Sequence, residues 1–76
     1  MAASVYRRQH MTWIGETSLS WFAIFIDTAS DLPNDPYYFS TDTDKYKIAQ
    51  GSLAYDISTT DMYMFNSSNT WIKQGG

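Results

Sequence analysis

Apolar and polar positions alternate in short stretches along most of the chain, and runs of Gly, Pro, Ser, Thr, Asn and Asp separate the stretches. In residues 51–74 two such runs, 58–61 and 66–69, divide an aromatic-rich region into three. β-Branched and aromatic residues suit a pleated, half-buried surface, whereas Ser, Thr, Asn and Asp turn the chain by bonding back to their own backbone. The pattern predicts a three-stranded β-meander over 51–74. With a side-chain period of two, Leu53, Tyr55 and Ile57 share one face of its first strand and Ala54 and Asp56 the other. In the second strand, Met62 and Met64 oppose Tyr63 and Phe65.

Upstream, residues 19–27 form the most apolar run of the chain. Nine residues rich in β-branched and aromatic types suit a central strand better than a helix, which needs roughly ten to twelve. Unbroken apolarity from Trp21 to Ile26 predicts burial on both faces, one by this chain and the other by a neighbour. Residues 15–18 read as a turn, and residues 4–14 before them as a first strand or an extended arm. Pro33 and Pro36 mark 28–36 as a loop. Tyr37, Tyr38 and Phe39 are expected to resume a short strand, residues 45–48 show a brief alternation, and residues 73–76 read as a frayed polar tail. The expectation is a single all-β domain over 1–76, with 1–16 as a possible arm. Its sheet is a small antiparallel one, a sandwich or a barrel, ending in the meander.

Composition changes the picture in one respect. A folded domain of 76 residues buries only about 60% of the surface that its unfolded chain exposes. The chain has no cysteine and one histidine, so neither disulfides nor a histidine-rich metal site supplements its core. Thirteen aromatic residues are a heavy apolar load for so small a body, which favours association with other chains. A net charge of -3 argues against nucleic acid as a partner, since phosphates require a basic face. No stretch of about 20 apolar residues spans a membrane, and the residues after Arg7 and Arg8 lack the continuous apolar segment of a secretory signal.

Candidate chemistry is sparse. His10 is the one side chain that titrates near neutrality, and it is read as a surface or interface histidine. No serine-hydrolase elbow and no cysteine nucleophile is present. Asp42 and Asp44 imitate the opening of a calcium loop, but Lys47 stands where that loop needs glycine and Leu53 where it needs a bidentate glutamate. The chain is therefore expected to be neither an enzyme nor the carrier of a cofactor or metal.

The order of elements in the C-terminal two-thirds is more specific than any one of them. Asp31 with Pro33, Gly51-Ser52, Tyr55 with Ile57, Thr59, Tyr63 with Phe65 and Asn66, and Thr70-Trp71 with Gln74 follow one another in sequence. In this order they resemble a family of small virion proteins of tailed bacteriophages, which also recur as modules of head and tail appendages. In that family a Gly-Lys pair usually forms the first meander turn, where this chain has Thr60 and Asp61. Glycine there supplies the positive φ of a tight hairpin, so a wider or bulged turn is expected here. The resemblance implies a structural component of a virion head, neck or tail, made in the host bacterial cytoplasm. It implies a homo-oligomer that contacts other virion proteins, with neither substrate nor cofactor.

Within that reading, Trp21, Phe22, Phe25 and Ile26 are expected to be core or subunit contacts. Tyr37, Tyr38, Phe39, Tyr63 and Trp71 are expected to face a partner. The alternative is an accessory carbohydrate- or receptor-binding module that uses the same aromatics to stack on a surface glycan.

Overall fold

The computed structural model describes residues 3–74. Six strands form one sheet: β1 (Ala3–Ile14), β2 (Thr17–Ile26), β3 (Tyr46–Ile48), β4 (Leu53–Asp56), β5 (Met62–Phe65) and β6 (Trp71–Gln74). Their order is β1-β2-β4-β5-β6, with β3 also paired to β2. The chain is all-β as its pattern predicts, and the meander is present as β4, β5 and β6 in antiparallel succession.

β1 and β2 form a long hairpin whose loop is Gly15 and Glu16 alone, since Ile14 pairs with Thr17. Gly15 has φ +62°, which a two-residue loop of the II′ kind demands at its first position. The turn expected over 15–18 is therefore shorter, and Thr17 and Ser18 belong to β2. Two register shifts, between Val5 and Arg7 and between His10 and Thr12, leave Tyr6 and Met11 as extra residues of β1. Each such bulge inserts one residue and so reverses the alternation that follows it.

The opposite edge of β2 holds β3 along its first half and β4 along its second, both parallel to it. The sheet is mixed, not purely antiparallel, because residues 27–45 carry the chain back to the start of β2 before it pairs again. β3 and β4 behave as one interrupted strand: Ser20 pairs with Ile48 and Ala23 with Leu53, so two additional residues lie between. An even insertion preserves which side chains face which way. Gly51, at φ +91°, turns the chain there. The interruption takes a ladder acceptor away from the Phe22 N–H, and the buried Ser52 hydroxyl accepts that bond instead at 3.0 Å while donating to the Ala49 carbonyl. Ser52→Ala is expected to lower unfolding stability by about 1–3 kcal/mol in a urea titration, because the buried N–H loses its partner.

The returning segment lies over one face of the sheet and completes the core. Phe22, Ile24, Ile26, Ile48, Ala54 and Phe65 form the buried cluster, with Leu32, Phe39, Tyr46, Tyr63 and Trp71 packed against it. Phe39 stacks on Phe22 with ring centroids 4.8 Å apart. Trp71 packs on Phe65 and donates its indole N–H to the Pro33 carbonyl at 2.8 Å, tying the last strand to the proline loop. Residues 37–39 are not a strand. They sit in consecutive turns closed by Tyr38 N–H to Asp35 O and Ser40 N–H to Tyr37 O, and the Asp35 carboxylate accepts from Tyr37 N–H.

Both meander turns are shaped by side chains. The first spans residues 57–60, wider than a two-residue hairpin, and Thr60 itself takes φ 61°. A β-branched residue in that region is strained by roughly 1–2 kcal/mol. Thr60→Gly is therefore expected to stabilise the fold by about 1 kcal/mol after the extra chain entropy of glycine, read as a raised urea midpoint. The buried Asp56 carboxylate accepts from the Ser58 hydroxyl and from the N–H groups of Ser58 and Thr59. The Ser58 hydroxyl leads these bonds in holding the carboxyl below its ordinary value of 3.8, against the opposing effect of burial. A lowered native pKa means that the ionised form stabilises the fold above 3.8, and that this contribution is lost as the pH falls through the native value. Asp56→Asn should melt below wild type at neutral pH, and the gap should close below pH 3.8. In the second turn Asn66 accepts from Ser68 and Thr70 N–H, and Asn69 takes φ 61°, which asparagine tolerates. Of the polar tail, Lys73 and Gln74 belong to β6, and Gly75 and Gly76 lie outside the described residues.

Candidate functional site

β2 alternates strictly: Ser18, Ser20, Phe22, Ile24 and Ile26 are buried, while Thr17, Leu19, Trp21, Ala23 and Phe25 are half-buried or exposed. Residues opposite one another in register share a face, which extends the second set across the sheet. Ala23 and Phe25 lie beside Leu53 and Tyr55 of β4, these beside Met64 and Met62 of β5, and Met64 beside Ile72 of β6. On the other side the two bulges of β1 add Tyr6 and Met11. The covered face is filled by the returning segment. The opposite face is apolar across β2, β4 and β5, turns polar along β1 at Ser4, Arg7, Gln9 and Thr12, and is covered by none of the described residues.

Several contacts hold that open face in shape. Phe25 is 38% exposed and stands between Tyr6 and Tyr55, edge-on to both, at 5.3 and 6.2 Å. These rings, with Ala23, Leu53 and Met62, surround a shallow apolar hollow of about 270 Å³. Trp21 donates its indole N–H to the Gly51 carbonyl at 2.7 Å, which pins the ring across the break between β3 and β4. Among the described residues the formal charges on this face are Arg7, in register with Ala23, and Lys47, in register with Leu19. The acidic residues stand in turns, in the returning segment or, as Asp56, on the covered face.

The eight aromatic residues singled out from the sequence do not form one surface. Trp21 and Phe25 lie on the open face. Phe22, 1% exposed, belongs wholly to the core, because even-numbered positions of β2 face the returning segment. Phe39, Tyr63 and Trp71 are half-buried, packed against that core. Tyr37 and Tyr38 are exposed, but on the covering layer at the other side of the sheet. Aromatics divided in this way supply no common stacking platform. Nothing in the sequence marks Tyr6, Met11, Leu53, Tyr55, Met62, Met64 and Ile72 as members of one surface. Alternation already paired Leu53 with Tyr55 and Met62 with Met64; the register across strands was needed to place both pairs on one side.

The chain matches no protein-family model, no curated protein and no solved structure.

Proposed function

We propose that this protein is a structural assembly component whose open sheet face packs against the same face of a second copy. The observation that carries the reading is the unpartnered apolar face. Its dimensions suit the role. Ten residues of β2 extend about 33 Å and five neighbouring strands about 24 Å across, in keeping with principal extents of 37 × 23 × 18 Å. β1, β2 and the interrupted β3–β4 run that length while β5 and β6 hold four residues each, so the footprint is roughly 600 Å² per partner, the low end of what specific complexes bury. Two such faces packed about 10 Å apart would make a β-sandwich, the arrangement that isolated one-sided sheets adopt to hide their apolar side.

Face-to-face packing is favoured over edge pairing. β1 is a twelve-residue edge strand, but two bulges and the charges of Arg7 and Arg8 blunt it against further strands. Arg7 on that edge strand and Lys47 on the short β3 have stems long enough to carry their charges to the rim of a sandwich. Self-association of a small β domain, together with the resemblance in residues 31–74, supports a role as a many-copy part of a tailed-phage virion, in the head, neck or tail. On this reading the chain has no substrate and no cofactor, and its mechanism is packing.

Light scattering over a concentration series tests the first step, and co-sedimentation with purified particles the second. A concentration-dependent dimer or larger oligomer that joins the particles is expected. A monomer at high concentration that also stays in the supernatant would overturn the reading.

A further inference from the structure

The covered side of the sheet is not closed at its hairpin end. There the second half of β1, the start of β2 and residues 43–46 border a polar cleft of about 240 Å³, walled by Arg8, His10, Trp13, Glu16, Asp44 and Tyr46. Most of these residues were unremarkable in the sequence. The register of the hairpin aligns Arg8, His10 and Trp13 with Phe22, Ser20 and Ser18, so all three project on the same side.

The floor of the cleft is prearranged. Arg8 donates to the buried Ser20 hydroxyl at 3.2 Å and lies 4.6 Å over the Tyr46 ring. The Ser20 and Ser18 hydroxyls are 2.8 Å apart, and Ser18 Oγ is 2.6 Å from His10 Nδ1. Arginine can only donate, so Ser20 accepts from Arg8, and Ser20, Ser18 and His10 Nδ1 continue the chain of hydrogen bonds. That chain of bonds engages the Nδ1 side of the His10 ring and leaves Nε2 without a hydrogen bond to any described residue. Ser18 is 3% exposed and no carboxylate orients the histidine among the described residues, so the pair lacks the geometry of a hydrolase. Trp13 is 64% exposed yet held against His10 with ring centroids 4.7 Å apart. Among the described residues the Glu16 and Asp44 carboxylates have neither a hydrogen-bond partner nor an ion pair.

We infer that this cleft binds a single pyranose ring of a glycan, stacked on the Trp13 indole and hydrogen-bonded by Arg8, His10, Glu16 and Asp44. The charge pattern selects this class. Arg8 and Lys45 oppose Glu16 and Asp44 around one opening, so neither a phosphate nor a metal cation meets a site of its own sign preference. A neutral polyol needs what is present: donors and acceptors interleaved around its hydroxyls and a flat apolar wall for its C–H face. The volume corresponds to roughly eight waters, the bulk of a sugar ring and too small for a folded peptide segment. The inference is independent of the open face, since the cleft lies on the other side of the sheet.

A printed array of pyranose glycans, followed by NMR titration of the full chain with the best-bound sugar, tests it. Binding should shift the Trp13 indole N–H signal and the amides around His10 and Tyr46. Trp13→Ala should weaken affinity by at least about tenfold, while Trp13→Phe retains most of it. Phe25→Asp on the open face should leave affinity unchanged, so failure of the assembly reading would not remove this one. The inference is overturned if no glycan on the array binds, if the shifts map elsewhere, or if affinity survives Trp13→Ala.

Discussion

Phe22→Ala is expected to leave the protein largely unfolded at 37 °C, losing about 3–5 kcal/mol in a denaturant titration. Phe22 is 1% exposed and stacks on Phe39 while meeting Tyr46 edge-on, so its ring joins the central strand to the segment that covers it. Removing it opens a cavity between the sheet and the segment that covers it. At roughly 0.05–0.15 kcal/mol per residue, a domain of 76 residues holds about 4–11 kcal/mol in all. One truncation therefore takes a large part of the total. Phe25→Ala, three positions along the same strand but on the open side, should shift the midpoint far less when measured on the monomer. Equal effects of the two would mean that the two faces of β2 are not distinguished as described.

The second large effect concerns association. Phe25→Asp combined with Leu53→Asp should give a folded monomer, with wild-type far-ultraviolet circular dichroism and no concentration dependence in light scattering. Both side chains lie on the open face, Leu53 in register with Ala23 and Phe25 with Tyr55, and neither belongs to the buried cluster. An uncompensated charge in a dry interface costs about 3–5 kcal/mol, so each aspartate should weaken a face-to-face dimer roughly a hundred- to several thousand-fold. In a monomer the same charges are solvated and cost little. If the double variant keeps the wild-type oligomer, the open face is not the interface.

How much of this was legible beforehand depends on the range of the interaction concerned. The meander was legible because its turns are made locally: Asp56 and Asn66 bond to N–H groups within four residues of themselves. The wide first turn followed from threonine at position 60. The central strand was legible from its apolar run. By contrast, Tyr37 to Phe39 have the composition of a strand, yet Asp35 and the neighbouring carbonyls close them into turns. The apolar run of β2 implied one face buried by this chain, and the even-numbered positions are that face.

The candidate sites were the least legible. Tyr6 and Met11 reach the open face because two bulges break the alternation of β1, and no local signal marks a bulge. Arg8, His10 and Trp13 meet Asp44 and Tyr46 only because the returning segment lies beside the hairpin.

The sequence alone determined the all-β class, the meander and its turns, and an apolar content too large for so small a body, since these depend on backbone preferences and side chains within a few residues. Only the tertiary structure decided that the sheet is mixed, that Ser52 closes a gap in it, and that one face is covered while the other stays apolar and open. Those outcomes depend on which strand the returning chain meets and in what register, and a shift of one residue there exchanges the two faces.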